Sequence, residues 1–283
     1  MFYATRNTQY AAAAIGLFLL LSLGFWFLLS PRDDGSLAEI QRRGTLRVGL
    51  DASFPPFETV DANGQIVGLD VDIAQAIAAD LGVEAEFVNI GFDGLYGALL
   101  ARRVDLIISG LPYDPRWTQN VAYTTNYFNA GQVLVIRAND PTINAVEDLA
   151  GRTVTVEWGS QAEMEGRQLI EEMKKKTASV PETTVVLLRQ ETAAAALDAV
   201  LNNQADAAIV DAPSALSVLT PSPTLPLGGG GGLEIVTYLA DEWYAAAIHI
   251  QSRELMEKVN QTLTRLKESG EMSKLQAKWF HAK

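Results

Sequence analysis

An acidic residue and an aromatic residue follow the first strand-like run of the chain. The run LRVGL at 46–50 is followed by Asp51, and the turn SFPPF after it carries Phe54. A carboxylate beside exposed aromatic rings can hold a small cationic group against an apolar wall. Asp51 could also cap a turn, and Phe54 could also be a core residue. The pair predicts a cation-binding wall, provided that further polar groups lie close to it.

Further polar residues stand where later strand-like runs end. Ser109 and Gly110 end the run DLIIS, and Arg116 lies in the loop after them. Asp211 ends the run DAAIVD. Ligands bind to open parallel sheets in the crevice at the carboxyl ends of the strands, so we expect these residues to line one crevice. Asp211 could instead be the N-cap of a helix that begins at Ala212, and Arg116 could be a solvated loop charge.

The start of a helix would complete this crevice. Gly159 and Ser160 lie between the strand-like run 153–158 and a helix-like run, so their N–H groups could face an anion. Phe92, together with Phe54, could wall the crevice. Acidic groups bind an ammonium group, whereas an arginine and backbone amides bind a carboxylate. The set of residues is typical of a site for a small zwitterion.

Strands and helices alternate from Thr45 onward, which predicts an α/β fold with parallel sheets covered by helices. The strand-like runs are 46–50, 85–90, 105–109, 153–158, 184–189, 206–211 and 244–250. The helix-like runs are 70–81, 93–102, 161–176, 191–203, 252–268 and 271–280. One group of runs lies before residue 125 and a second between about 131 and 238, after which the chain returns to the first. Asp70 and Asp72 open the first helix, where acidic residues are most simply N-terminal helix structure.

The composition excludes several classes of protein. The chain has 283 residues, a formal net charge of −12 and no cysteine. The acidic balance argues against a nucleic-acid partner, and the lack of cysteine excludes disulfides and thiolate metal sites. His249 and His281 match no metal-binding pattern, and the Pro- and Gly-rich stretch 220–232 lacks the lysine and hydroxyl of a phosphate-binding loop. We expect no cofactor, no metal and a flexible surface loop at 220–232.

An apolar segment near the N-terminus could place the rest of the chain outside the cytoplasm. Residues 11–30 carry no charged side chain, over a length sufficient to span a hydrocarbon core. The alternative is a cleaved signal peptide. Pro31 follows directly and no A-x-A-like cleavage site is present, which favours an uncleaved anchor. We expect residues 1–10 to be a cytoplasmic tip, residues 31–44 to be a polar linker, and the remainder to lie in the periplasm or at the cell surface.

Six segments, taken in order, resemble a known family. They are VGLDASFPPFE (48–58), GLDVDIAQAIAADLG (68–82), GFDGLYGALLARRVDLIISG (91–110), DLAGRTVTVEWGS (148–160), QADAAIVD (204–211) and LTRLKESGEMSKLQAKWF (263–280). Over roughly residues 45–281, the chain resembles the family 3 extracellular solute-binding proteins, the periplasmic amino-acid-binding proteins of ABC importers. The resemblance implies the two-lobed type II periplasmic-binding-protein fold, in which two lobes joined by two hinge strands close on a ligand.

The resemblance also implies limits for the lobes. Lobe 1 would comprise residues 45–125 plus 244–283, and lobe 2 would comprise residues 131–238. The hinges would be residues 126–130 and 239–243. Backbone amides of lobe 2 would come from three consecutive residues, Gly159, Ser160 and Gln161.

The side chains receive roles from the same resemblance. Phe54 and Phe92 would form an aromatic wall, and Asp51 would select the side chain of the ligand. Arg116 would bind the ligand carboxylate, and Asp211 would accept its α-ammonium group.

One segment departs from the family pattern. Family members usually carry hydroxyl residues between the glycine and the arginine of this segment, whereas this chain reads GLPYDPR at 110–116, one residue shorter. Pro112 offers neither an N–H group nor a hydroxyl. The ligand could therefore be held differently, or could differ from a standard α-amino acid. Tyr113, Trp117 and Trp158 could replace polar contacts with stacking, or could be structural.

The leading hypothesis is a monomeric binding protein that performs no chemistry. It would capture a small polar solute, which the resemblance implies to be an amino acid, and deliver it to ABC permease subunits. A first alternative is a cyclohexadienyl-dehydratase-like enzyme on the same scaffold, for which Glu157 and Glu163 are the available extra acids. A second alternative is a ligand-sensing module that acts on a separate signalling subunit.

Overall fold

The computed structural model describes residues 33–138, 140–176, 185–219 and 232–280, which form two α/β lobes. The predicted tip and anchor at 1–10 and 11–30 lie outside the described residues, as does nearly all of the predicted loop at 220–232. Within the described ranges, no helix combines the length and the apolar character that crossing a membrane requires.

The described strands are β1 (Thr45–Leu50), β2 (Ser53–Phe54), β3 (Glu58–Val60), β4 (Ile66–Val67), β5 (Glu84–Asn89), β6 (Leu106–Ile107), β7 (Val121–Tyr123), β8 (Phe128–Asn129), β9 (Gln132–Arg137), β10 (Thr153–Glu157), β11 (Val186–Gln190), β12 (Ala207–Asp211), β13 (Leu233–Tyr238), β14 (Trp243–Tyr244) and β15 (Ala247–His249). The described α-helices are α1 (Ser36–Arg43), α2 (Leu69–Leu81), α3 (Leu95–Leu100), α4 (Gln161–Lys176), α5 (Ala193–Leu201), α6 (Ala212–Val218), α7 (Arg253–Glu268) and α8 (Glu271–Phe280). Short 3₁₀ turns lie at Phe92–Gly94, Pro115–Trp117 and Val146–Leu149.

Each lobe contains one five-stranded mixed sheet. The strand order is β5-β1-β6-β15-β7 in the first lobe and β11-β10-β12-β9-β13 in the second. β1 runs parallel to β5 and β6, and β10 runs parallel to β11 and β12. β15 and β9, however, pair with their neighbours in antiparallel fashion. The predicted parallel pairing is therefore found around β1 and β10, whereas β9 and β15 depart from it. Both β9 and β15 follow directly from segments that cross between the lobes, so they need no crossover helix.

Two segments cross between the lobes and lie side by side. The first crossing segment contains β8 and the residues next to it, and the second contains β14 and the residues next to it. β8 pairs with β14 in antiparallel fashion, with Trp243 opposite Asn129 and Tyr244 opposite Phe128. Next to this pair, Gly131 lies so close to the other segment that a Cβ atom there would be 1.9 Å from the carbonyl oxygen of Ala240. The two connections therefore form one paired unit, in which glycine is required for the close approach.

An aromatic cluster fixes the C-terminal helix to these crossing segments. The ring of Phe57 lies 4.9 Å from that of Phe128 and 5.2 Å from that of Phe280, measured between centroids. Phe57 and Phe280 are fully buried. On the other side of α8, Asp72 accepts hydrogen bonds from Lys278 at 2.6 Å and from the indole of Trp279 at 2.7 Å. The returning chain is thus held against both α2 and the lobe junction.

Part of the segment predicted to be a linker is helical. Within 31–44, α1 buries Leu37 and Ile40 against lobe 1. Just before α1, Asp34 lies 2.6 Å from the guanidinium of Arg102. The helix has only eight residues, and most of them are polar or charged. A helix this short depends on tertiary packing, here through Leu37 and Ile40, rather than on its own sequence pattern.

Candidate functional site

Asp51 joins the turn that precedes Phe54 to the backbone of Phe92. One carboxylate oxygen accepts the backbone N–H of Phe92 at 2.8 Å, and the other accepts the hydroxyl of Ser53 at 2.7 Å. Phe54 and Phe92 are 40% and 43% exposed, so neither is a core residue. Asp51 is half-buried and acts as a turn-stabilising acceptor in this structure.

Phe54 is supported from beneath. Its ring stacks on that of Phe57 with centroids 5.1 Å apart and planes 9° from parallel. Gly110 lies against the opposite edge, since a Cβ atom there would be 2.7 Å from Phe54 Cε1. Gly110 also has φ of +51°, in the left-handed region that favours glycine. Together these contacts hold the Phe54 ring as a fixed wall.

Ser109 and Gly110 do not offer free donors to the cleft. The Ser109 hydroxyl donates to Glu58 Oε1 at 2.7 Å and accepts the backbone N–H of Asp51 at 3.0 Å. The backbone N–H of Gly110 donates to Asp70 Oδ2 at 2.7 Å. Both residues are buried, so they form the floor of the site rather than its lining.

The acids beneath this floor are a feature that the sequence analysis missed. Glu58 and Asp70 are both fully buried. Burial raises the pKa of each carboxyl group. Asp70 also accepts the hydroxyl of Tyr127 at 2.8 Å, which links it to the first crossing segment. Asp70 therefore does more than begin a helix, because it binds Gly110 below the site and Tyr127 in the first crossing segment. Its burial could not be inferred from local sequence.

Arg116 is held by an acid of its own turn. Its guanidinium lies 2.6 Å from the carboxylate of Asp114, which also accepts the backbone N–H of Arg116 at 2.9 Å. The hydrogen-bonded Arg116 lowers the pKa of Asp114. Arg116, Phe92 and Pro112 line a cavity of about 530 Å³ on lobe 1. In this structure Arg116 faces solvent with Asp114 as its partner.

Asp211 caps a helix in lobe 2. It accepts both the backbone N–H and the hydroxyl of Ser214 at 2.8 Å, as the N-cap of α6. It is nevertheless half-buried at the edge of a cavity of about 380 Å³ that it shares with Phe54, Glu242 and Tyr244. This cavity lies between the lobes and brings a candidate residue of each lobe together. Burial, with the nearby charge of Asp211, raises the pKa of Glu242.

The backbone N–H groups of Gly159 and Ser160 have partners within lobe 2. The N–H of Gly159 donates to Glu163 Oε2 at 2.8 Å, and the N–H of Ser160 donates to the carbonyl of Glu157 at 3.4 Å. The side-chain amide of Gln161 donates to Glu165 at 2.8 Å. These hydrogen bonds close the loop on itself.

The same loop still borders the site. Ser160, Gln161 and Asp211 line a small cavity of about 150 Å³ together with Gln132. Arg116 and Phe92 lie on a different cavity from these residues, so the structure gathers the candidates into neighbouring groups rather than one closed pocket.

The lining of these three cavities is acidic. The acidic lining residues are Asp93, Asp114, Glu157, Asp211 and Glu242. Arg116 is the single basic residue among the described lining residues, and Asp114 neutralises it. A larger cavity of about 920 Å³ along α7 shares none of these residues. Within the described residues, no three His, Asp or Glu side chains are grouped so that they could hold a metal ion. The cleft therefore favours a ligand with a net positive or zwitterionic character.

Two α/β lobes joined by a pair of crossing segments, with a cleft between them, define a two-lobed solute-binding protein. Residues 46–282 match the bacterial extracellular solute-binding proteins, family 3, and the chain belongs to that family. Members of this family are extracellular solute-binding proteins of bacteria.

Two relatives align over nearly the whole chain. The L-cystine-binding protein TcyJ of Escherichia coli (strain K12) is 27% identical over 272 residues, which cover 95% of each chain. The arginine-binding extracellular protein ArtP of Bacillus subtilis (strain 168) is 30% identical over 264 residues, which cover 93% of this chain and 97% of the relative.

Two solved structures have the same fold. The ancestral cationic amino acid solute-binding protein AncCDT-1 is 32% identical with a TM-score of 0.63, covering 87% of this chain and 99% of that chain. The ancestral cyclohexadienyl dehydratase AncCDT-3 is 28% identical with a TM-score of 0.67, covering 86% of this chain and 95% of that chain. The fold thus occurs both in binding proteins and in an enzyme.

Proposed function

We propose that this protein captures an amino acid with a cationic side chain outside the cytoplasm and delivers it to an ABC importer. The observation that carries the proposal is the acidic cleft, whose one described basic residue, Arg116, is paired with Asp114. The names of ArtP and AncCDT-1 support a cationic ligand, whereas that of TcyJ indicates that relatives at similar identity bind other amino acids.

The proposed contacts follow from the positions of the side chains. Phe54 and Phe92 wall the side chain of the ligand, and Asp51 between them attracts its charge. Asp211, with Glu242 nearby, attracts the α-ammonium group. Arg116 binds the carboxylate after exchanging its contact with Asp114 for the ligand. Closure of the lobes would bring these groups around one ligand.

The unusual segment 110–116 supports a modified contact with the ligand carboxylate. Pro112 has no N–H to donate, and the N–H of Gly110 is already bound by Asp70. The ligand carboxylate therefore depends mainly on Arg116. The lobe 2 loop at Gly159, Ser160 and Gln161 would contribute only after the N–H groups of Gly159 and Ser160 leave Glu163 and Glu157.

The lobe limits and the membrane anchor belong to the same proposal. We take lobe 1 as 45–125 plus 244–283 and lobe 2 as 131–238, with hinges at 126–130 and 239–243. An apolar segment at 11–30 would keep a monomeric protein close to its permease. Mass spectrometry of the mature N-terminus decides between an anchor and a cleaved signal.

Isothermal titration calorimetry tests the ligand class. The panel comprises L-arginine, L-lysine, L-ornithine and L-histidine, with L-glutamine, L-cystine and L-glutamate as neutral and acidic comparisons. We expect arginine, lysine or ornithine to bind most tightly. Tightest binding of glutamine, cystine or glutamate contradicts the cationic assignment, and the lack of binding by every amino acid to a folded sample contradicts the function.

The structural similarity to AncCDT-3 makes a dehydratase the second candidate. Such an enzyme needs a carboxylic acid that can protonate a leaving hydroxyl. The N–H of Gly159, with Arg167 and Arg189, lowers the pKa of Glu163 to about 2, so this residue is a poor proton donor at neutral pH. Incubation with prephenate or arogenate, followed by product absorbance, tests the activity. We expect no turnover.

A further inference from the structure

Glu58 and Asp70 meet in the interior below the cleft. Glu58 Oε1 accepts the hydroxyl of Ser109 at 2.7 Å, and Asp70 Oδ2 accepts the N–H of Gly110 at 2.7 Å and the hydroxyl of Tyr127 at 2.8 Å. The remaining oxygens, Glu58 Oε2 and Asp70 Oδ1, are buried and receive no donor from any other described residue. The two carboxyl groups bind consecutive residues, Ser109 and Gly110, and therefore lie close to each other.

Two negative charges are not stable in this position. Burial raises the pKa of both groups, and the charge of Asp70 raises the pKa of Glu58 further. The other titratable groups that face the pair are Asp51, Tyr127 and Tyr244, and none of these is a cation. Two unpaired buried carboxylates in contact would carry a large desolvation and repulsion penalty, so one of them holds a proton.

The hydrogen bonds indicate which group is protonated. Asp70 accepts two donors, from Gly110 and Tyr127, and both stabilise its charged form. Glu58 accepts one donor, from Ser109. The charge is therefore better stabilised on Asp70, and the proton belongs on Glu58.

We propose that Glu58 and Asp70 share one proton, which Glu58 Oε2 carries and donates to Asp70 Oδ1, and that this pair positions the Ser109–Gly110 turn and Tyr127. The turn supports Phe54 and binds the backbone of Asp51, and Tyr127 belongs to the first crossing segment. Both acids are fully buried, so they act on the ligand through these residues and do not touch it. The ligand-binding consequence rests on the proposed function, whereas the shared proton does not.

Infrared spectroscopy of the ligand-free protein detects the proton directly. A protonated carboxylic acid has a carbonyl stretch that is separate from the bands of carboxylates. At neutral pH we expect such a band in the wild type and its loss in Glu58→Gln. The control is Asp72→Asn. Asp72 lies on α2, the helix that carries Asp70, but it is paired with Lys278, so this variant should keep the band. A wild-type spectrum without the band, or a band that persists unchanged in Glu58→Gln, overturns the proposal.

Conservative variants give a second, asymmetric readout. Glutamine at position 58 can still donate to Asp70 and accept from Ser109, so Glu58→Gln should bind the probe L-arginine within about threefold of the wild type. Asp70→Asn places an N–H donor opposite the proton of Glu58, so it should lower the affinity at least roughly tenfold or prevent folding. Equal losses in both variants, or a larger loss in Glu58→Gln, contradict the assignment of the proton.

The pH profile completes the test and separates it from the ligand assignment. Burial raises the pKa of Glu58, so the folded chain keeps a proton that the unfolded chain releases. The melting temperature of the wild type should therefore fall relative to that of Glu58→Gln as the pH rises above about 4.5. Parallel profiles contradict the shared proton. If the wild type does not bind L-arginine, the proposed ligand class fails, while the infrared band and this profile still decide the inference.

Discussion

The guanidinium of Arg116 lies 2.6 Å from the carboxylate of Asp114, two residues earlier in the same turn. The Arg116 side chain is 83% exposed, and exposed ion pairs contribute little to stability. A ligand carboxylate can therefore compete with Asp114 for this arginine without disturbing the fold. In this structure Asp114 thus neutralises the arginine that we propose as the ligand-binding group.

Replacement of Arg116 tests its role in the cleft. We expect Arg116→Ala to weaken L-arginine binding by roughly ten- to hundredfold in calorimetry, because a charged hydrogen bond to the ligand carboxylate is lost. The melting temperature should hardly change. Arg42→Ala is a matched control, since Arg42 is also exposed and pairs with an acid, Glu39, at 2.6 Å. Binding by Arg116→Ala that equals that of the control contradicts the assignment.

Substitution of Asp51 separates ligand selection from turn stabilisation. In Asp51→Asn, an amide oxygen can still accept the N–H of Phe92, and Ser53 can accept from the new amide. We therefore expect a small change in melting temperature but a loss of roughly tenfold in affinity for L-arginine. Affinity for L-glutamine, measured in the same way, should not fall. If both affinities fall equally, Asp51 acts only as a structural acceptor.

The close approach of Gly131 to Ala240 predicts that a side chain at position 131 destabilises the contact between the two crossing segments. Gly131→Ala would place a methyl group 1.9 Å from the carbonyl oxygen of Ala240, so the crossing segments must move apart. We expect a loss of at least about 2 kcal/mol in the free energy of unfolding, measured by urea denaturation. Gly97→Ala is the control, because Gly97 is exposed within α3 and a Cβ atom there meets nothing within 4 Å.

The control should be neutral or stabilising by up to about 1 kcal/mol, since alanine favours helices. Equal stability of the two variants would contradict the proposed tight contact of the crossing segments.

The lowered pKa of Glu163 predicts that its contribution to stability, made by binding the lobe 2 loop at Gly159, is lost in acid. The N–H of Gly159, followed by Arg167 and Arg189, lowers its pKa from 4.5 to about 2. Because the pKa of Glu163 is lower in the folded chain, the unfolded chain takes up the proton at a higher pH than the folded chain does. This contribution is therefore complete above about pH 4.5 and is lost as the pH falls towards about 2. We expect Glu163→Gln to be less stable than the wild type at neutral pH.

The two proteins should converge as the pH falls, and thermal unfolding at a series of pH values measures the difference. Glu165→Gln on the same helix is the control, because Glu165 accepts the side-chain amide of Gln161, whereas Glu163 accepts the backbone N–H of Gly159. A constant difference between Glu163→Gln and the wild type at all pH values contradicts the role of this carboxylate.

Local sequence predicted the long elements well because their apolar spacing is regular. The helices predicted at 161–176 and 271–280 coincide with α4 and α8. It gave α6, which is short, only as an alternative reading of Asp211. It missed β9 and β13, which lie in the sheet as antiparallel strands beside the crossing segments. The order of the strands depends on how the chain crosses between lobes, and no local period encodes that path.

The sequence by itself determined the α/β class, the family and the acidic and aromatic residues available to the cleft. The partners of these residues were decided only by tertiary structure. Asp51 binds the backbone of Phe92 across 41 positions, and Asp70 binds Gly110 across 40. Such bonds exist only after the sheets have formed and buried the chain between them. For that reason the sequence names Ser109 and Gly110 as candidate ligand contacts, whereas the fold turns their donors towards two buried acids.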